Sequence, residues 1–293
     1  MQTYSQDWGL HWISCPTAEP TDQVWFRRTL LFDAKPASAH LTIATKGKYI
    51  LYMNGYNVST DVLLPYSPNG NDTVSVTTYE VARFMRADTN VVAVWYSPSV
   101  KYTDKQLSLT LWGTTEQGGT FAYSTNGTWL CRTANGKTTV NGDEIINGTT
   151  YLRDWNRSDF SIMGWLPAKE TTGYSPSPIV ITPLIHTAER ITRIYRYMYF
   201  DDYGKDIAYT FPRRFDGWVR VTLRNMQRGD TISVNGLRYV CNGEMDEQAC
   251  RRFTKSQSNI AVISGDSLLS RENNIMNVEA INIEPRLHDS YMY

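Results

Sequence analysis

Asn-Gly dipeptides beside strand-like stretches constrain the fold of this chain more than any other feature. Asn54-Gly55 follows the apolar stretch 49–53, and Asn235-Gly236 separates 231–234 from 237–240. Asn126-Gly127 separates 120–124 from 128–131. Both residues of such a pair accept the positive φ angles of a type I′ turn, so Asn-Gly between two strands predicts a β-hairpin.

The remaining strand signals extend along the whole chain. They occur at 41–45, 91–95, 107–112, 218–223, 260–263 and 278–283. Helical signals are sparse, and residues 81–85 predict one short turn. A stretch rich in Pro, Gly and Ser at 171–178 is typical of a domain edge. We therefore predict an all-β fold of two tandem β-sandwich (jelly-roll-like) domains, with boundaries at 1–170 and 179–293.

Composition excludes several classes of protein. The chain is 41% hydrophobic and 20% charged, which argues against a disordered segment. Its 29 basic and 29 acidic residues balance, so no global basic surface for nucleic acid is expected. No apolar run reaches the roughly 18 residues that a membrane span requires. The four cysteines form no CxxC pair, and Cys241 and Cys250 are either a short disulfide or free thiols.

The order of motifs resembles the N-terminal β-sandwich of bacterial α-L-rhamnosidases of glycoside hydrolase family 78. In the first half the matching residues are Trp8, Trp12-Ile13, 25–28, 47–49, 52–55, 79–81, 90–94 and Trp95-Tyr96. In the second half they are 202–204, 215–220, 246–249 and 252–254. The second set is similar to the next, concanavalin-like sandwich of Bacteroidetes-type members. The resemblance covers nearly the whole chain.

The resemblance also implies where catalysis takes place. The catalytic module of this family is an (α/α)6 barrel that follows these sandwiches, and we expect it C-terminal to this chain. The acidic segment usual near the end of the first sandwich is replaced here by 147–153. We therefore expect no catalytic residue in this chain. The parent protein is expected to hydrolyse terminal α-L-rhamnose by inversion, in the periplasm or outside the cell.

Several carboxylates are catalytic candidates in their own right. Glycoside hydrolysis generally uses two of them on either side of the bond. The candidates are Asp143-Glu144, Asp201-Asp202, Glu244 and Asp246-Glu247. For Asp246-Glu247 we favour a structural pairing with Arg251 or Arg252, and for Asp201-Asp202 a turn before Gly204.

Aromatic residues suggest a carbohydrate platform. Pyranose rings stack their C–H faces on aromatic rings while their hydroxyls need polar partners. The candidates for carbohydrate binding are Asn54, Trp95, Tyr96 and Trp112, with burial in the core as the alternative for each aromatic ring. No metal site is predicted, although calcium is conceivable because related sandwiches include calcium-dependent rhamnose-binding modules. The loop 69–72 is rich in oxygen ligands.

These observations predict the non-catalytic β-sandwich region of an α-L-rhamnosidase, which supports the catalytic domain and binds a rhamnose-containing glycan. Two alternatives remain open. The chain is a free-standing carbohydrate-binding protein, or it is a structural module that packs on a partner through an apolar surface near 281–293.

Overall fold

The computed structural model describes residues 11–65, 74–99, 105–173, 179–181, 188–265 and 274–285. Trp8, the oxygen-rich loop 69–72 and most of the predicted domain edge at 171–178 lie outside this part of the chain.

Strands dominate both halves of the structure, as predicted for an all-β fold. In the first half they are β1 (Trp12–Ser14), β2 (Asp22–Phe32), β3 (Ser38–Thr45), β4 (Lys48–Met53), β5 (Tyr56–Asn57), β6 (Val74–Glu80), β7 (Asp88–Ser97), β8 (Gln106–Thr114), β9 (Thr120–Ser124), β10 (Leu130–Thr138), β11 (Glu144–Asn147), β12 (Leu166–Pro167), β13 (Lys169–Thr171) and β14 (Ile179–Ile181). In the second half they are β15 (Glu189–Arg196), β16 (Tyr199–Asp202), β17 (Asp206–Arg224), β18 (Thr231–Val234), β19 (Leu237–Val240), β20 (Asp246–Cys250), β21 (Ser256–Ser264) and β22 (Ile275–Pro285). Short 3-10 helices occupy Ala82–Phe84 and Gly148–Thr150, and the first fulfils the predicted helical turn.

The first half is a sandwich of two sheets. One sheet has the order β13-β1-β8-β3-β6-β14, with β9 also paired to β8. The facing strands β10-β2-β7-β4-β5 belong to a second, larger sheet. A single cluster of buried side chains between them includes Leu41 and Leu109 from the first sheet and Phe26 and Val94 from the second. Alternation explains this arrangement, because β4 buries every second residue, as a strand with one covered face does.

The second half is built around one long strand, β17, and all of its strands belong to the larger sheet. The first part of β17 pairs with β16 and β21, and its last part pairs with β22 and β20. The register between β17 and β21 shifts between Thr210 and Phe215, and the pairing with β22 begins at Gly217. A second cluster of buried residues contains Tyr209 from the first part of β17, Val221 from the last part, and Ile263 and Val278 from its neighbours.

The two halves share one continuous sheet. Strand β11 pairs in parallel with β19, so the larger sheet runs from β5 at one end to β15 at the other. Beside this pairing the Glu144 side chain is fully buried, at 0% exposure. Its carboxylate accepts hydrogen bonds from the backbone N–H groups of Phe253 at 2.8 Å and Thr254 at 2.7 Å, and from the Thr254 hydroxyl at 2.9 Å. The backbone N–H of Arg252 also donates to it at 3.1 Å.

Two of the three predicted Asn-Gly hairpins are present. Asn54 and Gly55 have φ angles of 53° and 84°, and Asn235 and Gly236 have 43° and 76°. The hairpin predicted at Asn126-Gly127 is wrong. Strand β9 pairs with β8, whereas β10 pairs with β2, β11 and β12. The Asn126 side chain instead accepts a hydrogen bond from the Thr128 backbone N–H at 3.0 Å, so this pair forms an Asx turn between strands of different sheets.

Candidate functional site

Trp95 and Tyr96, two of the predicted carbohydrate-binding residues, lie in the interior. Strand β7 is covered on both faces, and the Trp95 side chain is only 1% exposed. Its indole N–H donates to Gln23 Oε1 at 3.0 Å, and the Arg252 guanidinium lies 4.7 Å from its ring centre. Tyr96 is fully buried on the opposite face, in the core between the two sheets. Stacking on a sugar needs an exposed ring face, and neither residue offers one here.

Trp112 is exposed, as the carbohydrate hypothesis requires. The side chain is 43% exposed on the outer face of β8. It stacks on His40 at a ring distance of 4.5 Å and donates to the Thr42 hydroxyl at 3.2 Å. It lies in the smaller sheet, whereas the other three candidates belong to the larger sheet or its hairpin. Its role in binding stays a prediction.

Asn54 has every hydrogen-bonding atom of its amide in use. Its NH2 group donates to the Phe84 carbonyl at 2.9 Å and to Asn90 Oδ1 at 2.8 Å, and its oxygen accepts from the Val91 backbone N–H at 2.8 Å. These bonds fix the β4–β5 hairpin against the 3-10 helix and β7. Asn54 therefore acts as a positioning residue at the cleft described next.

A cleft of about 610 Å³ opens beside this hairpin. We call it the hairpin cleft, and it is lined by Asn54, Gly55, Tyr56, Phe84, Arg86, Arg157, Ser158 and Asp159. Its volume falls in the range of sites that hold small molecules. Three separate segments of the chain contribute to it: the hairpin, the 3-10 helix with the residues after it, and the loop around 157–159.

Aromatic surface in the hairpin cleft comes from Tyr56 and Phe84. The Tyr56 side chain is 65% exposed and packs nearly parallel to Phe84, with ring centres 6.2 Å apart and an interplanar angle of 23°. The Arg83 guanidinium lies 4.5 Å from the Phe84 ring centre. Because Phe84 supports the tyrosine from one side, the Tyr56 ring is held out from the turn.

Polar groups surround this aromatic pair. Arg86 is fixed by donating to the Ser158 hydroxyl at 2.7 Å and to the Thr89 carbonyl at 2.9 Å. Arg157 is held by Asp154 at 3.2 Å. The exposed Asp159 carboxylate makes no hydrogen bond or ion pair within the part of the chain that the structure describes. The cleft thus combines an exposed ring, fixed guanidinium groups and a free carboxylate, which together suit a polyhydroxylated ligand.

A second cleft, of about 580 Å³, lies between the two halves of the chain. We call it the junction cleft, and its acidic lining is Glu244, Asp246 and Glu247. Arg224 holds Asp246 through two hydrogen bonds at 2.6 and 3.0 Å, and Arg153 holds Glu244 at 2.8 Å. The Arg224 hydrogen bonds also keep the pKa of Asp246 below its usual value.

The predicted partners of Asp246-Glu247 need correction. The pair was expected to bind Arg251 or Arg252, but Arg224 binds Asp246, and Glu247 accepts from the Tyr239 hydroxyl at 2.9 Å and the Asn242 N–H at 2.8 Å. These contacts nevertheless indicate a structural role for Asp246 and Glu247. The predicted turn at Asp201-Asp202 is confirmed, since Asp202 accepts from the Gly204 N–H at 2.8 Å. Glu144 is the buried junction residue described above.

Across residues 11–285, outside the undescribed gaps, no group of three or more His, Cys, Asp or Glu side chains is arranged to hold a metal ion. Within the same residues, the helices are too short to span a lipid bilayer. Cys241 and Cys250 carry free thiols and pack in different buried clusters.

Comparison with known proteins identifies the family. Residues 34–183, about half of the chain, match the family model of the α-L-rhamnosidase N-terminal domain. The chain belongs to this family. Its resemblance to the N-terminal sandwiches of α-L-rhamnosidases is thereby confirmed.

Individual relatives agree with this assignment. An α-L-rhamnosidase of Formosa agariphila is 25% identical over 190 residues, which is 55% of this chain and 20% of that protein. The solved α-L-rhamnosidase of Dictyoglumus thermophilum matches 96% of this chain and 36% of its own with a TM-score of 0.82 and 19% identity. The solved α-L-rhamnosidase of Aspergillus terreus matches 94% of this chain and 36% of its own, with a TM-score of 0.80 and 16% identity. The chain therefore spans a fifth to about a third of the length of these relatives, and at such identities the two structures show the fold alone.

The residues of the hairpin cleft were not found by sequence reasoning, apart from Asn54. Tyr56 gave one usable signal, because an aromatic residue directly after an Asn-Gly turn stands at the tip of a hairpin. Arg157 and Asp159 gave none, since they lie about a hundred positions away in a loop without a motif.

Proposed function

We propose that this chain is the non-catalytic β-sandwich region of an α-L-rhamnosidase, and that it supports the catalytic domain of its parent protein and binds carbohydrate at the hairpin cleft. The observation that carries the proposal is the exposed Tyr56 ring beside the free Asp159 carboxylate. A pyranose C–H face stacks on such a ring while two neighbouring hydroxyls donate to one carboxylate. The guanidinium groups of Arg86 and Arg157 supply donors for the remaining sugar oxygens.

The non-catalytic part of the proposal rests on how the carboxylates of the junction are used. Asp246 and Glu244 are paired with guanidinium groups, and Glu247 and Glu144 are occupied by backbone and hydroxyl donors. A general acid or base has to exchange protons with the substrate or with water. Carboxylates that are held by such structural contacts are poorly suited to that task.

The supporting role follows from the rigidity of the junction. A shared sheet and the buried Glu144 contacts fix the two sandwiches to one another, so a catalytic domain packed on them would be held in one orientation. We propose that this domain is an (α/α)6 barrel of the parent protein and that the parent acts on rhamnose-containing glycans. We also propose that it works in the periplasm or outside the cell, which fractionation of the native host would test.

Hydrolysis and binding assays on the purified chain test the proposal. We expect no release of nitrophenol from p-nitrophenyl α-L-rhamnopyranoside above the blank, and binding to rhamnose-containing oligosaccharides on a glycan array. Tyr56→Ala should weaken binding at least tenfold, about 1.4 kcal/mol, because the stacking face is removed. Tyr203→Ala is the matched control, since that tyrosine is equally exposed but lies in the other half of the chain.

Each outcome of these assays has a definite meaning. Turnover by the chain alone would refute the non-catalytic role. Binding that survives Tyr56→Ala would place carbohydrate elsewhere, with the exposed Trp112 as the next candidate. Failure to bind any glycan would refute carbohydrate binding and leave a structural module.

A further inference from the structure

A small pocket adjoins the junction cleft between the two halves of the chain. It has a volume of about 70 Å³ and shares Gly148, Tyr151, Tyr239, Asn242 and Gln248 with the lining of the cleft. We call it the polar pocket. Its space suits a small polar group rather than a whole sugar ring. A ligand that places such a group in the pocket would therefore extend into the larger cleft.

A buried amide oxygen of the polar pocket has no partner. Asn135 lines the pocket and is only 7% exposed. Its Nδ2 donates to the Asn147 carbonyl at 3.2 Å, which orients the amide, but its Oδ1 accepts no hydrogen bond within the described residues. Because an unsatisfied buried acceptor is costly, a donor that reaches it from the pocket is stabilised. A ligand hydroxyl is such a donor.

Positive charge in the polar pocket comes from Arg252. This exposed side chain is the one charged group among the described residues that line the pocket. Its guanidinium lies 4.7 Å from the Trp95 ring centre and makes no hydrogen bond or ion pair within the described part of the chain. Stacking on a ring leaves the N–H groups at the edge of the guanidinium available. Those groups match the two oxygens of a carboxylate.

The buried carboxylates of the junction are directed to other donors. Glu144 accepts from the backbone N–H groups of 252–254, and Glu247 accepts from the Tyr239 hydroxyl and the Asn242 N–H. Neither forms an ion pair with Arg252 in the described residues. The charge of this arginine is therefore left for an anion that enters from the cleft.

An exposed aromatic ring borders both the polar pocket and the junction cleft. Tyr151 is 42% exposed and packs against Trp95, with ring centres 6.2 Å apart and an interplanar angle of 30°. Trp25 contacts it edge-on at 6.0 Å. These contacts hold the ring while part of its surface stays open. The C–H face of a pyranose can stack on such a surface.

We propose that the polar pocket binds the carboxylate and a neighbouring hydroxyl of an acidic sugar. Arg252 binds the carboxylate, Asn135 accepts from the hydroxyl, and the sugar ring stacks on Tyr151 in the junction cleft. The pocket is small, so the groups that line it lie within reach of one such ligand. It shares no lining residue with the hairpin cleft, and the inference does not depend on carbohydrate binding there. Because rhamnose has no carboxylate, the pocket would recognise a different unit of a glycan.

Isothermal titration calorimetry with three small ligands tests the proposal. D-Galacturonate carries all the required groups, D-galactose lacks the carboxylate, and lactate keeps a carboxylate and a neighbouring hydroxyl but has no ring. We expect a dissociation constant of about 1 mM for D-galacturonate, since few polar contacts hold a small ligand. The other two ligands should bind at least tenfold more weakly. Added salt should weaken the binding of D-galacturonate, because an exposed ionic contact is screened.

Variants of Arg252 test the role of the charge. Arg252→Gln should weaken binding of D-galacturonate at least tenfold and remove its advantage over D-galactose. Arg252→Lys should retain part of that advantage, because the charge remains while the planar fork is lost. Arg238→Gln is the matched control, since this exposed arginine of β19 lines neither the pocket nor the junction cleft. Tyr56→Ala should bind D-galacturonate as the native chain does, which separates this site from the hairpin cleft.

A variant of Asn135 tests the buried acceptor. Asn135→Asp has nearly the same shape but places a negative charge in the pocket, so it should weaken D-galacturonate more than D-galactose. Thermal melting of each variant verifies that it is folded. If Asn135→Asp does not fold, the exposed Arg252 variants decide the question alone.

Several outcomes would overturn the proposal. Equal affinity for D-galacturonate and D-galactose would show that no carboxylate is recognised, and equal affinity for lactate would show that the ring contributes nothing. Unchanged affinity in Arg252→Gln would locate the ligand elsewhere. No binding of D-galacturonate at about 10 mM, ten times the expected dissociation constant, would refute the site itself.

Discussion

Glu144 offers the sharpest test of how the two halves are joined. Its buried carboxylate accepts hydrogen bonds from four donors in residues 252–254 of the other half, with shortest distances of 2.7, 2.8, 2.9 and 3.1 Å. In Glu144→Ala these four donors lose their acceptor. An orphaned buried donor costs about 1–3 kcal/mol. Since one cavity and local relaxation are shared by all four, we expect a loss of about 4 kcal/mol, similar to breaking a buried ion pair.

Glu144→Gln provides a graded comparison. Its amide oxygen keeps an acceptor where most donors converge, but the hydrogen bonds lose their charge assistance. We expect a loss of about 2 kcal/mol, half that of the alanine variant. Urea unfolding followed by tryptophan fluorescence is the assay, because Trp25, Trp95 and Trp155 cluster beside the junction. At a slope of about 3 kcal/mol/M, the midpoint of Glu144→Ala should fall by about 1.3 M.

The control for these variants is Glu116→Ala, an exposed glutamate in the β8–β9 turn. It should change the free energy of unfolding by less than about 0.5 kcal/mol. The reasoning is refuted if Glu144→Ala unfolds within that same margin of the native chain. It is also refuted if the fluorescence of the junction tryptophans reports no change in midpoint while far-UV circular dichroism does.

Two further substitutions test the packing and the pH dependence of the fold. Gly217→Ala should lower the free energy of unfolding by at least about 3 kcal/mol, because the added Cβ would clash with the Ile281 backbone carbonyl in the neighbouring strand. Chemical unfolding measures this loss. Gly127→Ala is the control and should be tolerated, because its Cβ would lie 3.5 Å from the nearest atom. Burial lowers the pKa of Lys48 from 10.5 to about 8, so the unfolded chain binds more protons between these values and the free energy of unfolding should rise with pH. Relative to Lys48→Met, the native chain should gain about 2 kcal/mol from pH 8 to 10, and parallel curves for the two proteins would contradict this assignment.

Local conformation was predictable where it depends on a few adjacent residues. The hairpins at Asn54-Gly55 and Asn235-Gly236 were predicted correctly, because positive φ is a property of those residues themselves. Asn126-Gly127 carries the same local signal, but its flanking strands pair with other partners. The choice of partner depends on long-range burial, which the dipeptide does not encode.

The candidate site shows the same division more strongly. Trp95 ends a strand and precedes a polar loop, which favours exposure in sequence terms. The structure buries it because Trp25, Tyr151 and Phe253 pack against it from three distant segments. For Tyr56 the exposure was predictable, because the residue lies at a hairpin tip. The polar groups that complete its cleft were not, because they come from 157–159.

The all-β class, most strands, two hairpins and, through the order of the motifs, the family could all be predicted from the sequence. These properties depend on the alternation of apolar and polar residues, on turn residues and on the order of motifs, all of which are local features of the sequence. Which aromatic rings are exposed, and which carboxylates are held by guanidinium or backbone donors, followed from the packing of the folded chain and could not be predicted from the sequence. Those outcomes depend on contacts between segments about a hundred residues apart, whose burial and pairing are set by the packing of whole sheets.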